Sequence, residues 1–125
     1  MPETQKHSLA LVDLARRSEE FRKVLWTGDE TQLVLMEIPE GEEIGGEVHE
    51  GHDQLLHFVA GSGLARIGET ECEVSDGVIS IVPSGVFRNF RNTGSGMLRL
   101  FTTCSPPEHA PGTEHATRAE ADAKD

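Results

Sequence analysis

Residues 47–58 read EVHEGHDQLLHF and set three imidazoles, His49, His52 and His57, beside carboxylates that include Glu47 and Asp53. Imidazole nitrogen and carboxylate oxygen are common protein ligands of divalent transition metals, and the same groups serve as general acids and bases. Which chemistry is open depends on what faces what. In an extended chain Glu47 and His49 point to one side and Val48 to the other. A turn, EGHD, follows. In the next strand Gln54, Leu56 and Phe58 share a face, and Leu55, His57 and Val59 share the opposite one. With Glu47, His49 and Gln54 directed inward, His57 points away and reads as a surface or sheet-packing residue. His52 sits in the turn, where alternation gives no direction. The inward set offers a carboxylate, an imidazole and an amide oxygen, a weak donor set for a divalent ion.

The elements that must position these groups are strands. Residues 8–21 (SLALVDLARRSEEF) carry a helical pattern, a short helix expected to cap one end of the fold. After it the period changes. RKVLW, TQLVLMEI, EIGGEVH, QLLHFVAG, GLARIG, ECEVS, VISIVP, VFRNFRN and MLRLFTT are short runs of β-branched or alternating residues. Turn signals such as Pro39-Glu40-Gly41, Asp76-Gly77 and Pro83-Ser84-Gly85 separate them. About nine strands at regular spacing predict an all-β sandwich or barrel. The tail, SPPEHAPGTEHATRAEADAKD, has three prolines and little apolar content; it is expected to be partly ordered at best, with His109 and His115 in solvent and a short last helix opened by a capping box at Thr117–Glu120. The expected organisation is a single domain: 1–26 a helix and first strand, 27–107 the barrel, 108–125 the polar tail.

Composition narrows the function classes. The chain of 125 residues, 36% hydrophobic, carries a formal net charge of −11, which argues against nucleic acid as a partner. No apolar run approaches the ~20 residues of a membrane span, and the N-terminus lacks a signal-peptide pattern. The two cysteines, Cys72 and Cys104, form no framework and read as reduced thiols, so a cytoplasmic location is expected. The charge is segregated. Residues 27–76 hold thirteen acids and one base, Arg66, whereas residues 77–107 hold three arginines, Arg88, Arg91 and Arg99, and no acid. Packed together, the segments would neutralise part of the acidity, and at least one arginine could face an acid-lined pocket.

Two spacings carry a resemblance. Gly41 is followed by five residues, then Glu47, Val48 and His49; four more lead to Gln54 and six more to Gly61. Gly77 leads after five residues to Pro83, then Gly85, Arg88 and Asn92. In glycine and proline framework and in order, these segments resemble the two motifs of the cupin superfamily, and the whole resembles small single-domain bacterial cupins of the mannose-6-phosphate isomerase-like type. The resemblance implies a double-stranded β-helix (jelly-roll) barrel, often dimeric, with a metal held by three histidines and a glutamate. Of those four, this chain has His49. Glu47 stands at the first histidine position, Gln54 at the glutamate position and Arg88 at the last histidine position. Arginine stays protonated and has no lone pair to give. By alternation Arg88 shares a face with Val86 and Phe90, the interior if the cupin register holds.

Three functions stay open. The first is a small-molecule pocket lined by Glu47, His49, Gln54, Leu56, Phe58, Arg88 and Phe90, with Arg88 paired to Glu47 or forked onto an anionic ligand. The second is a metal-dependent enzyme (isomerase, oxygenase or lyase) in which Arg88 turns outward and Glu47, His49, Gln54 or His52 hold Zn, Ni, Mn or Fe. The third is a metal-free enzyme with Glu47 or His49 as acid/base and Arg88 as anion stabiliser. A homodimer is expected to cover strand edges. Phe87, Phe90, Phe101 and Trp26 read as core or interface residues.

Overall fold

The structure, a computed structural model, describes residues 7–124. Ten strands and two short helices follow one another: α1 Leu11–Arg16, β1 Arg22–Thr27, β2 Gln32–Ile38, β3 Glu47–Val48, β4 Asp53–Ala60, β5 Ser62–Ile67, β6 Thr70–Ser75, β7 Ile79–Val82, β8 Phe87–Asn92, β9 Leu98–Ser105, β10 Glu114–His115 and α2 Arg118–Lys124. They form a six-stranded sheet in the order β10-β1-β2-β9-β4-β7 and a four-stranded sheet in the order β3-β8-β5-β6, with antiparallel pairing throughout. The chain changes sheet between β2 and β3, β3 and β4, β4 and β5, β6 and β7, β7 and β8, and β8 and β9. This is the double-stranded β-helix.

Alternation decides what lies between the sheets. β4 sends Gln54, Leu56 and Phe58 inward; β8 sends Arg88, Phe90 and Asn92; β9 sends Leu98, Leu100, Thr102 and Cys104. Phe58 and Phe90 meet there at 5.8 Å between centroids, within a core that includes Val34, Met36, Ile38, Leu56, Leu98 and Leu100. The interior is therefore apolar at one end and polar toward the other. β2 is covered on both faces, which is why it reads as an almost continuous apolar run. Its outer side and that of β1 and β4 hold a second cluster, Ala15, Leu25, Leu35 and Val59, closed by Leu11 and Leu14 of α1.

Three expectations are corrected. The first helix stops at Arg16, well short of residue 21, because Leu11 and Leu14 rest on the outer cluster whereas Phe21, 3% exposed, belongs to the interior core. The chain has to turn round the sheet between them. For Trp26 the core alternative falls and the interface one stays open, because it is exposed on this chain, beyond a register shift in β1, with its ring over Gly28. The tail is ordered. Phe21 N–H donates to Ala116 O (3.1 Å), Val24 N–H donates to Thr113 O (2.8 Å), and β10 adds a strand beside β1. His115 is 5% exposed beside Arg22, and Ala121 of α2 lies in the core. Thr117 Oγ1 accepts from Glu120 N–H at 3.1 Å, the expected cap.

Candidate functional site

His49 leaves β3 at the polar end of the barrel. Its loop is fixed from the opposite turn: Gly85 N–H donates to His49 O (3.0 Å), Gly51 N–H to Ser84 Oγ (2.7 Å), and Ser84 N–H to Asp53 Oδ1 (2.9 Å). Arg88 enters from β8, one strand over and in register with Glu47. It is 3% exposed. Its Nη1 donates to Gly45 O (2.9 Å) and its Nη2 donates to His49 Nε2 (3.1 Å). Gly45 has φ +107°, and a Cβ there would sit 2.9 Å from Arg118 Nη2 of α2. Only glycine fits both the backbone and the space.

The Arg88 contact assigns the imidazole tautomer. A guanidinium only donates, so Nε2 must be the unprotonated nitrogen and Nδ1 must carry the hydrogen. Nδ1 faces Glu108 Oε1 at 3.4 Å. Glu47 Oε2 lies 3.5 Å from Nε2, with the Glu47 side chain half exposed. Because Nε2 carries no hydrogen, Glu47 is not bonded through His49 and acts on Arg88 as a neighbouring charge. Burial pushes the Arg88 guanidinium below its ordinary range, and Arg22 pushes it the same way; the carboxylates of Glu47 and Glu108 oppose both. Arginine remains a cation at neutral pH.

A polar layer of Gln54, Thr102 and Cys104 faces the barrel interior from β4 and β9. Thr102 Oγ1 donates to Leu55 O (2.7 Å), which spends its only hydrogen. Gln54 must then be the donor to Thr102, through Nε2 at 3.3 Å. Its Oε1 is buried and has no hydrogen-bond partner in the protein, and the same holds for Arg88 Nε. Cys104 Sγ is 4.0 Å from Gln54 Nε2. Burial pushes this thiol up to about 12 from 9.0; Glu108 adds to the rise, and the Arg88 and Arg22 charges oppose it. Cys104 should be inert, so one thiol per native chain, the exposed Cys72, is expected to react with an aromatic disulfide reagent at pH 8, and both after unfolding. The raised native value also fixes a sign. Its contribution to stability is complete below about pH 9 and is lost as pH rises toward about 12, so the advantage of the wild type over Cys104→Ala should shrink across that window in urea titrations.

The mouth is crossed by residues 105–116. Gln32, 0% exposed on β2, holds this strap: its Nε2 donates to His109 O (2.7 Å) and Thr27 Oγ1 (2.9 Å), and its Oε1 accepts from Glu108 N–H (3.2 Å) and His109 N–H (3.0 Å). Glu108 is thereby aimed at His49. His52 Nδ1 donates to Pro106 O at 2.9 Å, with its ring edge-on to His49 at 6.4 Å. His57 stacks on Phe101 on the outer face. Leu56, Phe58 and Phe90, expected to line a pocket, are fully buried in the core under the polar layer.

Glu47, His49 and Arg88 thus lie together, Gln54 faces the interior from β4 against Thr102, and His57 is apart. Glu108, Arg22, Thr102, Cys104 and Gln32 were missed. Alternation along MLRLFTTCS would have placed Thr102 and Cys104 inside with Leu98 and Leu100; nothing in the proline-rich tail singles out Glu108.

The residues do not fit a divalent cation. The His49 Nε2 lone pair is taken by Arg88, and that fixed positive charge sits beside Glu47 and Glu108, where a cation would be repelled. Among the described residues no group of three or more His, Cys, Asp or Glu side chains is arranged to hold a metal.

A six- and a four-stranded antiparallel sheet, with both motif segments converging at one end of the barrel, define the class. Residues 34–104 match the Cupin domain family, and the chain belongs to it. It is similar to the uncharacterized protein YrkC of Bacillus subtilis (37% identity over 112 residues, 85% of this chain) and to the uncharacterized protein L612 of Acanthamoeba polyphaga mimivirus (30% over 105 residues, 81% of this chain). It spans 60% and 66% of the length of these relatives. Among solved structures it is similar to BH2720 from Bacillus halodurans, with 39% identity, a TM-score of 0.92, and 93% of this chain and 92% of that one covered. No helix among the described residues is long and apolar enough to cross a membrane.

Proposed function

We propose that this cupin binds a small organic anion in its barrel, with Arg88 supplying the positive charge that a metal would otherwise bring. The observation that carries this reading is Arg88 itself: 3% exposed, directed inward, with its Nε–H buried and unpartnered in the protein. A buried guanidinium costs several kcal/mol in desolvation, on the order of what one well-placed counter-charge returns. Its neighbouring carboxylates are imperfect partners, Glu47 being half solvated and Glu108 facing His49. A ligand carboxylate or phosphate meets the guanidinium directly through charge-assisted bonds. Entry is past the strap.

Titration calorimetry of the wild type with acetate and with inorganic phosphate tests this. Saturable binding at one site per chain, weakened by added chloride, is expected. Absence of saturable binding by either anion into the high millimolar range overturns the reading.

We also propose a cytoplasmic homodimer. Leu55 (41% exposed), Ile79 (44%) and Ile81 (61%) form an apolar strip on the outer face at β7, the terminal strand of its sheet. Ile81→Lys is expected to convert a dimer to a monomer in sedimentation velocity; a wild type that sediments as a monomer sinks the proposal.

A further inference from the structure

The polar layer says more about the ligand than its charge, given the anion reading above. Two buried atoms in it lack a partner in the protein, and they are of opposite kinds. Arg88 Nε–H is a donor and calls for an acceptor; Gln54 Oε1 is an acceptor and calls for a donor. The identity of the Gln54 atom follows from chemistry, since the Thr102 hydrogen is committed to Leu55 O and leaves only an acceptor for the amide. Both residues point to the interior, from β4 and β8; Gln54 Nε2 is 4.0 Å from the Cys104 sulfur, and the Arg88 charge acts on the same thiol. Gln54 is 8% exposed and Arg88 3%, so neither atom has open solvent to turn to.

We propose that the ligand is a small carboxylate bearing a hydroxyl or ammonium group within a few bonds of the carboxyl carbon. The carboxylate takes the Arg88 Nε–H, and the second group donates to Gln54 Oε1. A simple fatty acid would satisfy Arg88 and leave the amide oxygen buried without a partner. Sites built to hydrogen-bond a ligand group discriminate strongly against analogues that lack it, for that reason. Glu47 and Glu108 bias the pocket in the same direction. They repel a second carboxylate and tolerate or favour a donor, so a monoanion with a donor group suits the layer better than a dianion.

The test compares four acids of one size on the wild-type chain by calorimetry: propionate, 2-hydroxypropionate, 3-hydroxypropionate and alanine. At least one donor-bearing acid is expected to bind about ten- to a hundred-fold tighter than propionate. The two hydroxy acids locate the donor, and alanine separates an ammonium from a hydroxyl. In Gln54→Met, whose fold is checked by its melting temperature, the preference should fall to within about two-fold. Equal binding of all four acids by the wild type overturns this inference while leaving the anion reading intact. No binding of any of the four, with acetate and phosphate also silent, overturns both. The wild-type comparison decides the matter even if the variant does not fold.

Discussion

Arg88→Met is expected to lower affinity for acetate and phosphate by at least about a hundred-fold, with little change in stability. The binding loss follows from the bonds removed. Each hydrogen bond from a cation to an anionic ligand contributes ~1.5–3 kcal/mol, and two of them correspond to two or more decades in Kd. Arg22, 7% exposed in the same interior, stays behind and accounts for any residual affinity. The stability side is a near cancellation. Methionine removes a buried charge whose desolvation opposes folding, yet it leaves Gly45 O and His49 Nε2 without the donors they had. Replacement of a buried ion by an apolar side chain of similar length is often neutral or better when the partner charges can reach solvent or take a proton. Glu47 is half solvated, and Glu108 keeps His49 Nδ1 beside it at 3.4 Å. A midpoint in urea within ~1–2 kcal/mol of the wild type, beside a lost calorimetric signal, is the expected pair of results. An unchanged anion affinity in Arg88→Met would remove Arg88 from the site.

Gln32→Leu is expected to be the most destabilising single change at the barrel mouth and to release the strap. Leucine has a similar volume and would sit well beside Val34, but it offers none of the four hydrogen bonds that Gln32 makes. The N–H groups of Glu108 and His109 and the carbonyl of His109 lose their partner at once. An unmatched buried polar group costs ~1–3 kcal/mol, and three of them exceed what the strap can bear without detaching into water. Detachment caps the loss at about 3 kcal/mol, or roughly 10 °C in Tm for a domain of this size. The strap should then be cut by protease between residues 105 and 116 far faster than in the wild type, while the barrel remains. Equal protection of this segment in both proteins would show that the strap is held by β10 and α2 alone.

The two predictions differ in how far they could be seen from the sequence. Arg88 stood at a motif position, and period-two alternation with Val86 and Phe90 turned it inward; β8 keeps that alternation, and the guanidinium is inside. Gln54 was legible in the same way, because a strand buried on one face fixes the side of every second residue, whereas Glu47 and His49, on and just after an exposed two-residue strand, rested on the motif spacing. His57 was excluded from the site on the same ground and stacks outside on Phe101. The strap had no such signal. Its order comes from side-chain amide and backbone contacts to Gln32, β1 and the 43–45 loop, where Arg118 Nη1 donates to Glu43 O at 3.0 Å, rather than from an apolar stripe. Hydrophobic periodicity is blind to a segment held that way. Gln32, for its part, begins the apolar run of β2 and reads as an edge residue, although it is fully buried. Arg22 was hidden likewise, because RKVLW looks like a basic start to a strand, and its partner His115 comes from the tail.

The central claim is that a protein cation, not a metal, occupies the charged position of this barrel. Elemental analysis of untagged wild type after dialysis against Mn, Fe, Ni and Zn, run beside Arg88→His, tests it most directly. The account predicts no stoichiometric metal in the wild type and a bound metal in Arg88→His, where Glu47, His49 and Gln54 would be joined by a further imidazole and freed of the guanidinium. A wild-type chain that retains one metal ion through dialysis would contradict it.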